Sequence, residues 1–288
     1  KILVDSSHES AHVNICVLGN SYSNDSFCYV PFILKDYGIT CKIHIYYRGS
    51  GSLHDLNLQW NDDSPYSIAD IDGKDHIRLH FSIDTRKDNK WTKDKVLSAN
   101  DIVSLEKWDF ISLQQGGNRA KNIDTYYPHL SDIVSKIDSI CDYTYNLAWF
   151  MAYNGATENE NQASLDTQRK IIEREKFDLI FPVATSVFIA QGRSELRDLG
   201  ESVYKKLYCS DNVHLQEGLP CYLAALTISQ SILEYYKPGT NVMGNRIRPT
   251  QEWIKNINGI TPNGSPIGVS EENCEIAQRI AVIANLFK

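Results

Sequence analysis

VNICVLGNSYS, at residues 13–23, is an apolar run that stops at a Gly-Asn-Ser turn. The run predicts a buried β-strand, and the turn places Ser21 just beyond the strand's carboxyl end. Open α/β sheets bind their ligands in the crevice outside the carboxyl ends of their strands. We therefore expect Ser21 to lie at the edge of such a sheet, where chemistry takes place.

A second short motif lies far along the chain and reads DNVH at residues 211–214. An imidazole can take the proton of a serine hydroxyl, and a carboxylate can orient that imidazole. Ser21, His214 and Asp211 together predict a Ser-His-Asp hydrolase. Taken singly, each motif also has a structural explanation, because Gly, Asn and Ser favour turns and Ser210 or Asp211 can cap the helix or turn that follows.

The composition is that of an ordinary globular protein. A chain of 288 residues is long enough for one α/β domain with an insertion. Hydrophobic and charged contents of 42% and 23% exclude a disordered chain. No run of about 18 apolar residues is present, so no membrane span is predicted. The net charge of -7 argues against a nucleic-acid partner, since phosphate backbones are bound through clustered Lys and Arg.

The cysteines have no spacing typical of a zinc site, so the sequence predicts no metal and no cofactor. Cys16 lies in the apolar strand and Cys221 in an apolar helix, where we expect each thiol to pack as a small hydrophobic group. The sequence begins at Lys1 rather than at methionine. We therefore expect removal of an upstream segment such as a signal peptide and a periplasmic or secreted location, with a cytoplasmic location as the alternative.

Strand-like and helix-like segments alternate along the chain, which predicts a three-layer α/β/α sandwich with a mostly parallel central sheet. We treat residues 1–288 as a single domain. Predicted strands cover 13–18, 42–47, 108–113, 145–152 and 177–183, and predicted helices cover 27–37, 53–58, 127–141, 165–176, 218–235 and 271–287.

Residues 60–98 interrupt this pattern, because they are polar and rich in turn residues. Two segments, 66–70 and 76–81, flank Asp72-Gly73, a pair typical of β-hairpin turns. The sequence therefore predicts a β-rich insertion, containing a hairpin, within the domain.

Two glycine-rich turns follow other predicted strands and offer hydrogen-bond donors. The strand at 108–113 leads to Gly-Gly-Asn at 116–118, so the side-chain amide of Asn118 can reach the space over the sheet edge. The Gly-Ser-Gly turn at 49–51 follows the strand at 42–47, and glycine lets a backbone N–H approach a substrate closely. Acyl transfer needs such donors aimed at the developing oxyanion.

Four segments in this order resemble the four sequence blocks of the SGNH (GDSL-type) hydrolase superfamily: 19–23, 49–51, 116–118 and 211–214. The resemblance covers residues 13–226. The sequence at 17–31, 112–115 and 214–225 is similar to an uncharacterised branch of that superfamily found in gut Bacteroidetes. The resemblance implies a flavodoxin-like SGNH fold and ester hydrolysis that needs no metal.

Carried over position by position, the resemblance makes Ser21 the nucleophile, with its own backbone N–H in the oxyanion hole. It makes His214 the general base and then the general acid, with Asp211 orienting the imidazole. The usual Gly-Asp-Ser is Gly-Asn-Ser here, which still suits a tight turn.

The same resemblance implies two further oxyanion donors, the backbone N–H of Gly51 and the side-chain amide of Asn118. Two alternatives stay open. Gly49 can be the backbone donor, because the turn holds two glycines, and Gln115 can be the side-chain donor, because related sequences keep the Leu-Gln-Gln phrase more faithfully than the asparagine.

The resemblance leaves the substrate open among carbohydrate O-acetyl esters, lipids and thioesters. The likeness to gut-bacterial proteins favours deacetylation of a carbohydrate. Aromatic side chains near the blocks can stack on sugar rings, although large aromatics are more often core residues; these are Tyr22, Tyr29, Trp60, Trp91 and Trp149.

Two competing hypotheses come from other functional classes. A catalytically silent glycan-binding protein on the same scaffold is disfavoured, because Ser21, Asp211 and His214 are all present. A metal-dependent phosphoesterase would use Asp5, Asp25, Asp211 and His214 as ligands, but no second Asp-x-His or His-x-His grouping supports it.

Overall fold

The structure, a computed structural model, describes residues 11–66, 76–155, 157–196, 199, 203–250 and 266–288. Within these residues the strands are β1 (His12–Gly19), β2 (Thr40–Arg48), β3 (Arg78–Asp84), β4 (Thr92–Asp94), β5 (Phe110–Gln114), β6 (Asn146–Phe150) and β7 (Leu179–Phe181). They form one seven-stranded mixed sheet in the order β4-β3-β2-β1-β5-β6-β7.

The centre of the sheet is parallel and is built around β1. This strand pairs with β2 on one side and with β5 on the other, so that Val17 lies between Ile45 and Ser112. The chain places β2 on one side of β1, and it places β5, β6 and β7 on the other side. The strand order therefore reverses between β1 and β5. Ser21 follows β1 and Asn118 follows β5, so both lie at the crevice that this reversal creates.

The helices are α1 (Ser21–Phe27), α2 (Val30–Asp36), α3 (Leu53–Leu58), α4 (Ala99–Ser104), α5 (His129–Ile140), α6 (Glu158–Arg174), α7 (Val183–Gln191), α8 (Val203–Lys206), α9 (Leu219–Tyr236) and α10 (Glu271–Leu286). α9 packs against α1, α2, α7 and α10, whereas α3 and α4 pack against α5. With the sheet between these two groups, the predicted α/β/α architecture is confirmed.

β1 is buried on both faces. Val13, Ile15, Cys16, Val17 and Leu18 are each at most 1% exposed. A strand covered on both sides has a continuous apolar sequence rather than an alternating one, which is why residues 13–18 carry so clear a signal. Each fully buried aliphatic side chain contributes about 1.5–3 kcal/mol, so the strand that delivers Ser21 is anchored in the core.

The predicted helix over 27–37 corresponds to α2, which begins at Val30 with Pro31 in its first turn. A separate helix, α1, precedes it and ends at Phe27. Proline has no N–H and its ring clashes with the preceding turn, so it fits the first turn of a helix and not its interior. The chain therefore starts a new helix at Val30 instead of continuing α1 through Pro31.

The insertion at 60–98 supplies β3 and β4. Both strands are antiparallel, β3 to β2 and β4 to β3. An antiparallel bridge joins Tyr66 to Ile77, whereas the predicted turn at Asp72-Gly73 lies outside the described residues. The part of the insertion that the structure describes thus extends one edge of the same sheet.

The cysteine side chains pack as the sequence indicates. All seven are free thiols, and six of them, including Cys16 and Cys221, are buried. None of the helices within the described ranges is both long enough and apolar enough to cross a lipid bilayer.

Candidate active site

Ser21 is the first residue of α1 and follows β1 almost directly. Asn20 caps this helix, because its Oδ1 accepts the N–H of Tyr22 at 2.9 Å. The Nδ2 of Asn20 donates to the carbonyl oxygen of Gly51 at 2.8 Å, so the same side chain also holds the 49–51 turn. Ser21 is half-buried, and its Oγ makes no hydrogen bond to any residue that the structure describes. Its hydroxyl is therefore available for chemistry.

The end of β5 packs against this turn through Gln114. The Nε2 of Gln114 donates to Asn20 Oδ1 at 2.7 Å, and Ser23 Oγ donates to Gln114 Oε1. A Cβ at Gly19 would lie 2.1 Å from Ser23 Oγ and 2.6 Å from Gln114 Oε1, so the position has no room for a larger residue. The sequence interpretation missed this role of Gln114, although the residue belongs to the Leu-Gln-Gln phrase that related sequences keep.

His214 and Asp211 belong to a tight loop before α9. The Nδ1 of His214 lies 2.5 Å from Asp211 Oδ2, and Asp211 Oδ1 accepts the N–H groups of Val213 and His214 at 2.9 and 3.1 Å. The N–H of Cys209 donates to the carbonyl oxygen of His214 at 2.8 Å, which closes the loop. Asp211 thus bonds the imidazole through Oδ2 and caps the turn at residues 211–214 through Oδ1, and it does not cap α9, which begins only at Leu219.

The electrostatics of this pair favour an ionised carboxylate. Partial burial acts to raise the pKa of Asp211, but hydrogen bonds from the His214 ring and from the N–H groups of Val213 and His214 outweigh it and lower the pKa. With Asp211 ionised, Nδ1 of His214 carries the ring proton and donates a hydrogen bond to the carboxylate. Nε2 is then left to accept a proton from a nucleophile.

Ser21, His214 and Asn118 line the same cavity, which has a volume of about 310 Å³. Its other lining residues are Asn20, Tyr22, Ser50, Gly116, Gly117, Asn154, Glu160 and Val213. In the part of the chain that the structure describes, no hydrogen bond joins Ser21 Oγ to the His214 ring. Such catalytic hydrogen bonds are often long in free enzymes and tighten when substrate binds.

The two backbone N–H groups expected as donors in the 49–51 turn already have partners. The N–H of Gly51 donates to the carbonyl oxygen of Arg48, and the N–H of Gly49 to that of Ile77, each at 3.0 Å. Neither expected donor is therefore available, because both close the turn. Ser50 lies between them with a φ of 52°, lines the cavity, and has an N–H without a partner among the described residues.

Of the two candidate side-chain donors, Asn118 reaches the cavity and Gln115 does not. The Oε1 of Gln115 accepts the N–H groups of Leu53 at 3.1 Å and Gly116 at 2.9 Å, and its Nε2 donates to the carbonyl oxygen of Thr125 at 3.0 Å. These bonds fix the start of α3 and the turn after β5. Asn118 is exposed, and its amide has no hydrogen bond within the described ranges.

Two polar residues of the cavity wall lie outside the four blocks. Asn154 follows β6, where its N–H donates to Asn161 Oδ1 at 2.9 Å. Glu160 lies in the first turn of α6 and pairs with Lys121 at 2.5 Å. Neither residue belongs to a motif, so the sequence interpretation missed them. Their only signal is that they follow a parallel strand whose carboxyl end lies at the same sheet edge.

Among the five aromatic residues weighed for sugar stacking, Tyr22 alone lines the cavity. The others, Tyr29, Trp60, Trp91 and Trp149, are at most 4% exposed and belong to the core. The ring centroids of Tyr22 and His214 are 6.1 Å apart. A Cβ at Gly117 would lie 2.2 Å from Tyr22 Oη. The second glycine of the 116–118 turn therefore makes room for the tyrosine.

Of the four residues considered as metal ligands, the three that the structure describes, Asp25, Asp211 and His214, do not form a group that could hold a metal ion. Asp25 is buried and accepts hydrogen bonds from Tyr153 and Leu215, and Asp5 lies outside the described residues. In the described ranges, no three His, Cys, Asp or Glu side chains come together in a group that could hold a metal ion.

Comparison with known proteins shows a likeness in fold. No family model matches the chain. No curated protein matches it either. It is similar to the crystal structure of a DUF4886 family protein from Bacteroides uniformis, with a TM-score of 0.72 and 19% identity over 96% of this chain and 95% of that chain.

A second solved structure is more distant. It belongs to a candidate SGNH hydrolase from Slackia heliotrinireducens and aligns with a TM-score of 0.46 and 15% identity over 77% of this chain and 99% of that chain. Identities this low bear on the fold and not on the chemistry. We conclude that this chain shares its α/β fold with the Bacteroides uniformis protein.

Proposed function

We propose that the chain is a serine esterase of the SGNH type, which hydrolyses a carboxylic ester with a Ser21-His214-Asp211 triad and no metal. One observation carries the proposal. A serine with an unbonded hydroxyl, an imidazole held by a carboxylate at 2.5 Å, and an unbonded amide side chain all come together at the carboxyl ends of β1 and β5. These are the nucleophile, the oriented base and the oxyanion donor that acyl transfer requires.

In the proposed mechanism, Ser21 Oγ attacks the ester carbonyl while His214 Nε2 takes its proton. The tetrahedral oxyanion accepts hydrogen bonds from the N–H groups of Ser21 and Ser50 and from the amide of Asn118. His214 then gives its proton to the leaving alcohol, which departs and leaves an acyl-enzyme. A water molecule, activated by the same histidine, releases the acid and restores Ser21.

The polar lining of the cavity favours an ester substrate whose alcohol group carries further hydroxyls, such as a carbohydrate. The polar lining includes hydrogen-bond donors and acceptors from Ser50, Asn118, Asn154 and Glu160. The apolar side chain of Val213 lies next to His214. A volume of about 310 Å³ lies at the lower end of the range of about 300–1,000 Å³ for small-molecule sites. Such a site suits a short acyl group better than a fatty-acyl chain, so we favour O-acetyl groups over lipid or thioester substrates.

The test compares turnover of p-nitrophenyl acetate by wild type, Ser21→Ala and Ser135→Ala, each with and without a chelator. Ser135 is an exposed serine on α5 and serves as the matched control. We expect Ser21→Ala alone to abolish hydrolysis and the chelator to have no effect. Acetylated glycans are then tested for release of acetate.

Two results would contradict the proposal. Unchanged turnover in Ser21→Ala would exclude the serine mechanism, and loss of turnover with chelator would indicate a metal. No turnover of any ester, combined with binding of glycans, would favour the silent glycan-binding protein on the same scaffold.

A further inference from the structure

Asp25 is a buried carboxylate next to the triad that the mechanism above does not use. It lies on α1 one helical turn after Ser21 and is 2% exposed. Its Oδ2 accepts two hydrogen bonds, one from the hydroxyl of Tyr153 at 2.6 Å and one from the N–H of Leu215 at 3.0 Å. Leu215 is the residue that follows His214. One carboxylate oxygen therefore joins the helix of the nucleophile to the loop of the base.

The third element at this junction is the segment after β6. Tyr153 belongs to it, and two residues later a Cβ at Gly155 would lie 2.0 Å from the carbonyl oxygen of Asn212. The segment thus lies directly against the backbone of the loop that carries His214. Tyr153 also packs against Tyr22, with ring centroids 4.5 Å apart. The loop of the base is therefore held by hydrogen bonds and by close packing, and Asp25 lies at the centre of both.

We propose that Asp25 is a positioning residue for His214: its carboxylate fixes the loop of the base against the helix of Ser21, and its charge favours the imidazolium that forms during turnover. The proposal rests on the ester hydrolysis proposed above. It adds a second carboxylate to the triad, acting through the backbone of Leu215 and through the local electrostatic field, without contact with substrate.

The electrostatic surroundings of Asp25 are consistent with a functional role. Burial raises the pKa of Asp25 to about 6, although the charge of His214 and the hydrogen bonds from Tyr153 and Leu215 act in the opposite direction. This pKa lies above the usual value of 3.8. The contribution of Asp25 to the free energy of unfolding is therefore fully present below pH 3.8 and is lost as pH rises through about 6. Stability alone therefore does not explain an ionised carboxylate here.

The titratable groups that interact with Asp25 come from every neighbouring element. They are Tyr22 on α1, Tyr47 on β2, Tyr153 after β6, Cys209, Asp211 and His214 on the loop, and Cys221 on α9. Among them, His214 is the group that gains positive charge during the reaction. The charge of Asp25 therefore attracts the positive charge that forms on the base.

The test uses Asp25→Asn, which keeps a side-chain oxygen and removes the charge, and Asp109→Asn as its matched control. Asp109 also accepts a backbone N–H, that of Asn14 at 2.7 Å, but it lies at the amino end of β5. With p-nitrophenyl acetate, we expect Asp25→Asn to lower kcat by about 10- to 100-fold with KM nearly unchanged. The acid limb of the pH profile should move to lower pH, because Asp211 is then the one carboxylate of the pair that still favours the charged imidazole.

Tyr153→Phe provides a second variant with a smaller effect of the same sign. It removes a hydrogen bond that favours the ionised form of Asp25, so the carboxylate takes up its proton at higher pH and favours the imidazolium less. The acid limb should therefore move to lower pH by less than in Asp25→Asn, and such a graded shift is not expected from a general loss of packing. A fall in kcat with an unmoved acid limb in both variants would overturn the proposal in favour of a packing role.

Amide hydrogen exchange at Leu215 tests the positioning without any assay of turnover. We expect faster exchange of this N–H in Asp25→Asn and not in Asp109→Asn, because the neutral amide oxygen accepts a weaker hydrogen bond than the carboxylate oxygen does. Equal protection in wild type and Asp25→Asn would overturn the proposal. Turnover that persists in Ser21→Ala would refute the esterase instead, while the exchange of Leu215 would still decide the role of Asp25.

Discussion

Gln114 donates from Nε2 to Oδ1 of Asn20 across 2.7 Å, so the last residue of β5 is bonded to the residue that precedes Ser21. The same Oδ1 accepts the N–H of Tyr22 and thereby caps α1. Helices shorter than about 12 residues are marginal by themselves, so α1, with seven residues, depends on such tertiary support. The position of Ser21, the proposed nucleophile, is therefore set by the neighbouring strand as much as by its own helix.

The two candidate side-chain donors are distinguished by a pair of alanine variants. Asn118→Ala should lower kcat by about 100- to 1,000-fold, as the loss of one oxyanion donor does in acyl-transfer enzymes, and should leave stability unchanged. Gln115→Ala should instead lower the free energy of unfolding by about 1–3 kcal/mol, because the N–H of Leu53 loses its buried acceptor. Kinetics with p-nitrophenyl acetate and urea unfolding measure the two effects, and a reversed pattern would make Gln115 the donor.

Two substitutions of Ser50 separate its backbone N–H from its hydroxyl. Ser50→Gly keeps the N–H and suits a φ of 52°, so we expect kcat to stay within about twofold of wild type. Ser50→Val places a β-branched residue in the left-handed region, at a cost of about 1–2 kcal/mol, and should shift the turn and lower kcat. Steady-state kinetics on both variants check this. An equal loss in both would show that the hydroxyl matters and that the N–H assignment is wrong.

Gly155→Ala should inactivate the enzyme without a residue of the triad being changed. The new Cβ would lie 2.0 Å from the carbonyl oxygen of Asn212, so the loop that carries His214 has to move. A displacement of about 1 Å at a catalytic group can cost about 100-fold in rate. Gly192→Ala is the control, because the nearest atom to its Cβ is 3.7 Å away. Wild-type kcat in Gly155→Ala would contradict this account of the loop.

The stability of the protein should fall at mildly acidic pH because of His44. Nδ1 of His44 lies 2.9 Å from Nε2 of His80. Burial, followed by the charges of His80 and Lys42, lowers the pKa of His44 from 6.5 to about 4. The unfolded chain therefore binds more protons between these values, so the free energy of unfolding decreases as pH falls through that window.

Urea unfolding of wild type and His44→Gln at about pH 7 and about pH 4.5 measures this dependence. We expect a smaller difference between the two pH values in the variant. An identical difference would mean that the buried histidine pair is not a source of acid sensitivity.

The strand and helix pattern was readable from the sequence because the core of this fold is continuous. β1 and α9 are buried along nearly their whole length, and such segments give long apolar runs. Ser21, Asp211 and His214 were predictable because they lie in compact turns with a recognisable residue order. The structure brings Ser21 and His214 to one cavity, and their catalytic roles remain a prediction.

The details of the candidate oxyanion hole were not predictable in the same way. That Gly51 and Gly49 use their N–H groups in the turn depends on partners such as Ile77, from a segment with no motif of its own. Likewise, Gln114 and Gln115 are adjacent in sequence but have different partners. Gln114 bonds to Asn20 at the end of β1, and Gln115 bonds to Thr125 in the segment after β5. Such long-range pairings follow from tertiary packing and have no local pattern.

β4 forms one edge of the seven-stranded sheet. This outermost strand has only three residues, Thr92–Asp94, and two of them, Thr92 and Lys93, are exposed. A longer and more apolar edge would offer unpaired N–H and C=O groups to a strand of another molecule. A short edge with a lysine opposes such pairing, so the insertion at 60–98 gives the sheet an end that resists aggregation when the protein is concentrated.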